Sequence, residues 1–114
     1  MNVRDFEDLL LSEMKKAGIS GNYRVLFRTN RTLRSRIQLL DGSYIDAWFN
    51  EQRQKAAVAW IKGRKRILGI NNAPTHPQNS GKDLWHMHAE GTISPLDKID
   101  LRLLFSKVKA EMET

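Results

Sequence analysis

Three histidines, His76, His86 and His88, fall within one stretch, NNAPTHPQNSGKDLWHMH from Asn71 to His88, together with two of the chain's three prolines. An imidazole accepts or releases a proton near neutral pH, so such a cluster can serve as a general acid and base or as a metal site; the plain alternative is a set of polar loop anchors. Just upstream stands Arg64-Lys65-Arg66. Cations beside imidazoles suit an anionic substrate, and RNA is the natural one. Cleaving RNA without metal requires one group to take the 2′-hydroxyl proton, another to protonate the departing 5′-oxygen, and cations to hold the phosphorane-like charge. His76 and His88 fit the acid–base pair, with His86 as an auxiliary. On an extended segment His86 and His88 point to one face, and a loop folding back would bring His76 to them.

The remaining candidates for this chemistry bind nucleic acid. Arg64 and Arg66 are expected on one face of a strand, gripping a phosphate bidentately, with Lys65 and Arg36 adding charge. Asn72 positions a base or holds the loop. Trp85 is a candidate for stacking an unpaired base, although a tryptophan is more often core, as applies equally to Trp48 and Trp60. Two other classes stay open. His76, His86 and His88 are a set able to hold zinc with one position for water, ranked lower because neither a cysteine nor a matched carboxylate accompanies them. A basic sheet that inhibits by occupancy alone is the third class. No cofactor is expected; a phosphate-cradling glycine loop, a serine nucleophile elbow and zinc-finger spacing are all missing from the sequence.

Charge is concentrated where this chemistry needs it. The net charge of +6 over 114 residues hides an uneven spread: residues 23–66 hold 11 Lys/Arg against 3 Asp/Glu, and the segments on either side are each slightly acidic. A polyphosphate answers such a field, as would an acidic protein partner. The length suits one domain with one core, and the composition is that of a globular chain. No apolar run is long enough to span a bilayer, no cysteine is available for a disulfide, and no export signal is visible, so a soluble cytoplasmic protein is expected.

The elements that must carry these residues follow from periodicity. Val3 to about Ala17 reads as a helix, capped by Asn2 and stopped by Gly18, with Phe6, Leu9, Leu10 and Met14 as its apolar stripe. Alternation of period two then predicts strands at Tyr23–Arg28, Arg34–Leu40, Ser43–Asn50, Lys55–Ile61 and Arg64–Ile70. Asp41-Gly42 reads as a two-residue hairpin turn. That strict turn would set Asp46 beside Ile37 and mix polar with apolar residues on both faces, so either a bulge intervenes or Asp46 is an inward carboxylate orienting a histidine. A last strand is expected near His86 to Thr92. Ser94-Pro95 reads as the start of a second helix bearing Leu101, Leu104, Phe105, Val108 and Met112. The fold class is therefore α+β, an antiparallel meander of five to six strands with a helix from each end of the chain packed on it.

With these motifs in place, residues 20–93 resemble the TumE-type toxins of prokaryotic toxin–antitoxin pairs. In that family a short antiparallel sheet delivers an Asp-Asn-Ala-Pro-His-His type segment, followed about ten residues later by a histidine-rich run. Asn72, Pro74, His76, His86 and His88 match the pattern. Asn71 stands where the family has Asp, Thr75 replaces a first histidine, and Trp85 replaces a histidine of the later run. The resemblance implies a growth-inhibiting protein that acts on RNA and is held in check by a cognate antitoxin, whose acidic character follows from charge complementarity.

Overall fold

The computed structural model describes residues 1–72 and 85–113, and the fold is α+β. Seven strands form one antiparallel sheet in chain order: β1 Gly21–Arg28, β2 Thr32–Leu39, β3 Tyr44–Asn50, β4 Lys55–Lys62, β5 Lys65–Asn71, β6 Trp85–Ala89 and β7 Thr92–Leu96. Helices α1 (Val3–Lys16) and α2 (Leu101–Met112) contribute Phe6, Leu10, Leu104, Phe105 and Val108 to the same apolar core as the inward residues of the sheet. Among the described residues the other sheet face carries no helix.

Helix α1 forms as its sequence requires. Asn2 accepts a hydrogen bond from the Asp5 N–H at 2.8 Å, and Gly18 takes the left-handed conformation, φ +74°, that ends the helix. The second helix starts later than expected. Asp100, not Ser94, caps it, accepting from the Leu103 N–H at 2.9 Å. Ser94 and Pro95 instead belong to β7, because Glu90-Gly91 reverses the chain: both residues have positive φ, 51° and 78°, the conformation of a tight hairpin turn. An edge strand tolerates Pro95, since proline lacks the N–H that an inner strand must pair. The meander consequently has seven strands, against the five to six expected.

The β2–β3 turn settles which residues face the core. Leu39 and Ser43 are bonded across the turn, Leu39 N–H to the Ser43 carbonyl at 2.9 Å, and Gly42 sits at φ +88°, so the loop has three residues, Leu40-Asp41-Gly42, and not two. The extra residue shifts the register by one. Ile37 now lies opposite Ile45, and Arg36 opposite Asp46. Leu33, Ile37, Leu39, Ile45, Ala47 and Phe49 all turn inward, which removes the mixed faces that a two-residue turn would impose. Ser43 is buried as part of this corner: it donates to Asp41 and accepts from the Trp60 indole N–H at 2.9 Å. Trp60 is thus a core residue, as most tryptophans are.

Two bulges redirect side chains toward the helix-free face. In β1 the pairing passes from Val25↔Ser35 to Phe27↔Arg34, leaving Leu26 as the extra residue. Alternation alone would send Phe27 inward with Tyr23 and Val25; the bulge turns it outward and brings Arg28 to the helix side, where it donates to Glu7. In β5 the pairing passes from Leu68↔Trp60 to Arg66↔Ile61, so Ile67 is extra and Arg66 faces outward.

Candidate functional site on the helix-free sheet face

Cross-strand pairing lines up two rows on this face. One runs Phe27, Arg34, Trp48, Ala57, Asn71, His86; the other runs Arg24, Arg36, Asp46, Ala59, Gly69, His88. Both follow from the period of two in the strands, which places every second residue on one side. Ala57 and Ala59 on β4 make a low strip between Trp48 on one side and Asn71, Gly69 and the two histidines on the other. Arg24, Arg34, Arg36, Lys55 and Arg66 share this face, and Asp46 is the carboxylate that accompanies them on its strands. The positive excess of the middle of the chain is therefore spread in part across this helix-free face.

His86 and His88 stand side by side, ring centroids 4.8 Å apart at an interplanar angle of 69°. His86 is buried and His88 half-buried. Two rings in such edge-to-face contact leave no room for a phosphate between them, since each ring nitrogen would need to stand about 2.8 Å from a different phosphate oxygen. They form a unit in which one ring supports the other, and they do not straddle a reacting phosphorus. His76, the third expected imidazole, lies outside the described residues. Among the described residues no three His, Cys, Asp or Glu side chains gather as a metal-ligand set.

Arg66 brings a cation to this pair. A Cβ on Gly69 would meet Arg66 Cδ at 3.2 Å, so the arginine stem crosses directly over Gly69, whose cross-strand partner is His88. Arg66, His88 and Ile93 line one small cleft of about 140 Å³. Glycine at position 69 leaves space that any side chain would fill.

The other expected site residues divide. Arg64 lies in the exposed β4–β5 turn and not on the strand, so it does not share a face with Arg66, and Lys65 is exposed at the same hairpin end, paired across to Lys62. Arg36 is on the helix-free face but already engaged: its Nε donates to Asp46 at 2.8 Å and its guanidinium carbon sits 4.0 Å from the centroid of the Tyr44 ring. The hydrogen bond to Asp46 raises the Arg36 pKa further above its ordinary value. Asp46 accordingly serves an arginine and not a histidine.

Asn72 is structural. It is 4% exposed; its Oδ1 accepts from the Ala56 N–H at 2.9 Å and its Nδ2 donates to the Gln54 carbonyl at 2.8 Å, tying the end of β5 to the β3–β4 turn. Its role is to hold the chain, and its amide is committed to backbone partners and not to a base. Trp85 likewise packs toward the core, on the face opposite His86 and His88, and cannot stack a base bound beside them. Sequence reasoning missed Phe27 and the outward placement of Trp48. The glycine of a three-residue turn was the available signal for Trp48, whereas the bulge at Leu26 has no mark in the strand's own pattern.

No helix is long and apolar enough to cross a membrane among the described residues. No protein-family model, characterised protein or solved structure matches the chain.

Proposed function

We propose that this protein is a small basic toxin of a toxin–antitoxin pair, acting on single-stranded RNA laid across the helix-free sheet face, with His88 as a catalytic residue. The observation that carries this reading is the convergence of His86, His88 and Arg66 on the face that also bears Arg24, Arg34 and Arg36. An antiparallel sheet face rich in arginine and, among the described residues, free of helices is a surface suited to an extended polyanion.

In this reading the 2′-oxygen attacks phosphorus, the P–O5′ bond breaks, and a 2′,3′-cyclic phosphate and a 5′-hydroxyl result. His88 and His76 divide the two proton transfers, one receiving the 2′-hydroxyl proton and the other supplying a proton to the 5′-oxygen. Arg66 stabilises the charge on the non-bridging oxygens. His86 is a positioning residue that holds the His88 ring. An acidic antitoxin would cover the arginines and block the face.

The test is incubation of purified protein with a mixed RNA pool, with and without a chelator, and mapping of new ends. Cyclic-phosphate ends insensitive to chelator are expected, with cleavage lowered about 10²- to 10⁴-fold in His88→Ala and lowered in Arg66→Ala. Full cleavage by His88→Ala sinks the catalytic assignment, and sensitivity to the chelator points to metal chemistry instead. A binding-only toxin is the second reading, favoured by the extent of the arginine-bearing surface beyond the histidines. It expects arginine substitutions to abolish inhibition while His88→Ala leaves it intact.

A further inference from the structure

At the β1–β3 end of the helix-free face, Leu26, Phe27, Thr32, Arg34 and Trp48 line a cleft of about 450 Å³. Its volume falls within the ordinary range for small-molecule pockets. Phe27 is 55% exposed and Leu26 39% exposed, two large apolar side chains adjacent in the chain that line the same cleft. The β1 bulge is what presents them: without the extra residue at Leu26, Phe27 would face the core.

We infer that this cleft is a subsite for one unpaired nucleobase of a single-stranded RNA, stacked against Phe27 and Trp48, with Arg34 on the adjoining phosphate. The inference rests on the proposed action on RNA and names the form of RNA that such action requires. Two aromatic side chains and a guanidinium in one cleft provide a π-surface and a charge together, the combination that unpaired bases use and that an apolar protein segment does not need. Arg34 in the cleft, Arg24 in the neighbouring row and Lys55 beyond Trp48 keep this end of the face positive, while Arg36 is paired with Asp46. Trp48 and His86 lie in one row three strands apart, so the near wall of the base subsite stands about 14 Å from the histidine pair. A strand bound at both points crosses Ala57 and Ala59 between them. A duplex cannot, because its bases are stacked inside and its backbone is rigid. The subsite thereby makes unpaired RNA the substrate and gives the bound strand a fixed register relative to His88.

The test measures dissociation constants of the full-length protein, in its His88→Ala form to prevent turnover, for a single-stranded oligoribonucleotide, the same oligomer with abasic positions, and a duplex of equal charge. Phe27→Ala and Trp48→Ala are each expected to weaken single-strand binding about 10-fold or more, the effect of losing one stacked base. Duplex and abasic binding should change little, and Phe27→Tyr should restore affinity. Phe27 is exposed, so its truncation leaves the fold intact, which the melting temperature verifies. Equal loss for all three ligands, or none, overturns the subsite while leaving RNA binding in place. Absence of RNA binding by the parent protein removes both readings. Phe27→Ala converting a dimer to a monomer in sedimentation, with RNA affinity unchanged, assigns the cleft to self-association and likewise overturns the subsite.

Discussion

At the scale of single residues, buried polar groups separate structure from chemistry. Asn72 stands at the start of the histidine-bearing segment, yet its side chain completes the backbone pairing of Ala56 and Gln54. Replacing it with alanine leaves those groups unsatisfied. The Asn72→Ala protein should lose about 1–3 kcal/mol of stability in urea unfolding, and a loss of RNA affinity at full stability would instead show that Asn72 contacts ligand. The trio of Tyr23, Glu7 and Arg28 makes a second residue-scale prediction. Burial, then the hydrogen bond to Glu7, pushes the Tyr23 hydroxyl up to about 12. A folded pKa raised above the unfolded one favours folding fully below pH about 10, and that contribution is lost as pH rises through about 12. Thermal melts should show stability falling across this alkaline window, and Tyr23→Phe should flatten that fall. Burial alone would raise the Glu7 carboxyl; the hydrogen bonds from Tyr23 and Arg28 outweigh it and hold the group below its ordinary value. Its contribution is therefore present at neutral pH and lost on acidification through the depressed folded value, with Glu7→Gln reducing the acid sensitivity.

Elements differ in how openly their residues announce them. Helix α1 is legible in full, because its cap, its stop glycine and its apolar stripe are all local. The β6–β7 hairpin is not, since Ser94-Pro95 is a good helix start taken alone and loses to the pairing of His86 with Pro95 and His88 with Ile93. Substitutions can check which won. Asp100→Ala should destabilise by about 1 kcal/mol through loss of the cap, while Ser94→Ala should have little effect. Glu90 occupies positive φ, which asparagine adopts more readily, so Glu90→Asn should raise the melting temperature. A larger effect from Ser94→Ala than from Asp100→Ala would contradict a helix that begins after Asp100.

For the molecule as a whole, the helices cover one sheet face, and Arg24, Arg34, Arg36, Lys55 and Arg66 lie on the other. Its edges are guarded: a bulge interrupts β1 and Pro95 interrupts β7, both of which hinder addition of a further strand. The broad helix-free face is thus a better binding surface than either edge. If RNA lies there, affinity should fall with salt, and removal of Arg24 and Arg34 together should lower the log–log slope by about 0.7 for each phosphate of a single strand that is no longer neutralised. Replacing exposed Lys16 and Lys107, away from this face, should leave the slope nearly unchanged. An equal change from both pairs would show that net charge, and not this face, governs binding.

Local and periodic features were decided by the amino-acid order alone: the α+β class, the meander, the first helix, and the sharing of one face by His86 and His88. Each depends on neighbours a few residues apart, where backbone geometry leaves little choice. Tertiary structure decided the rest. Whether Asp46 meets a histidine or Arg36 depended on one extra residue in the β2–β3 turn, and whether Phe27 or Arg28 faces the helices depended on the bulge at Leu26. A single inserted residue reverses every side chain beyond it, and the energy that selects the register comes from burying Ile37, Ile45 and Phe49 against helices distant along the chain.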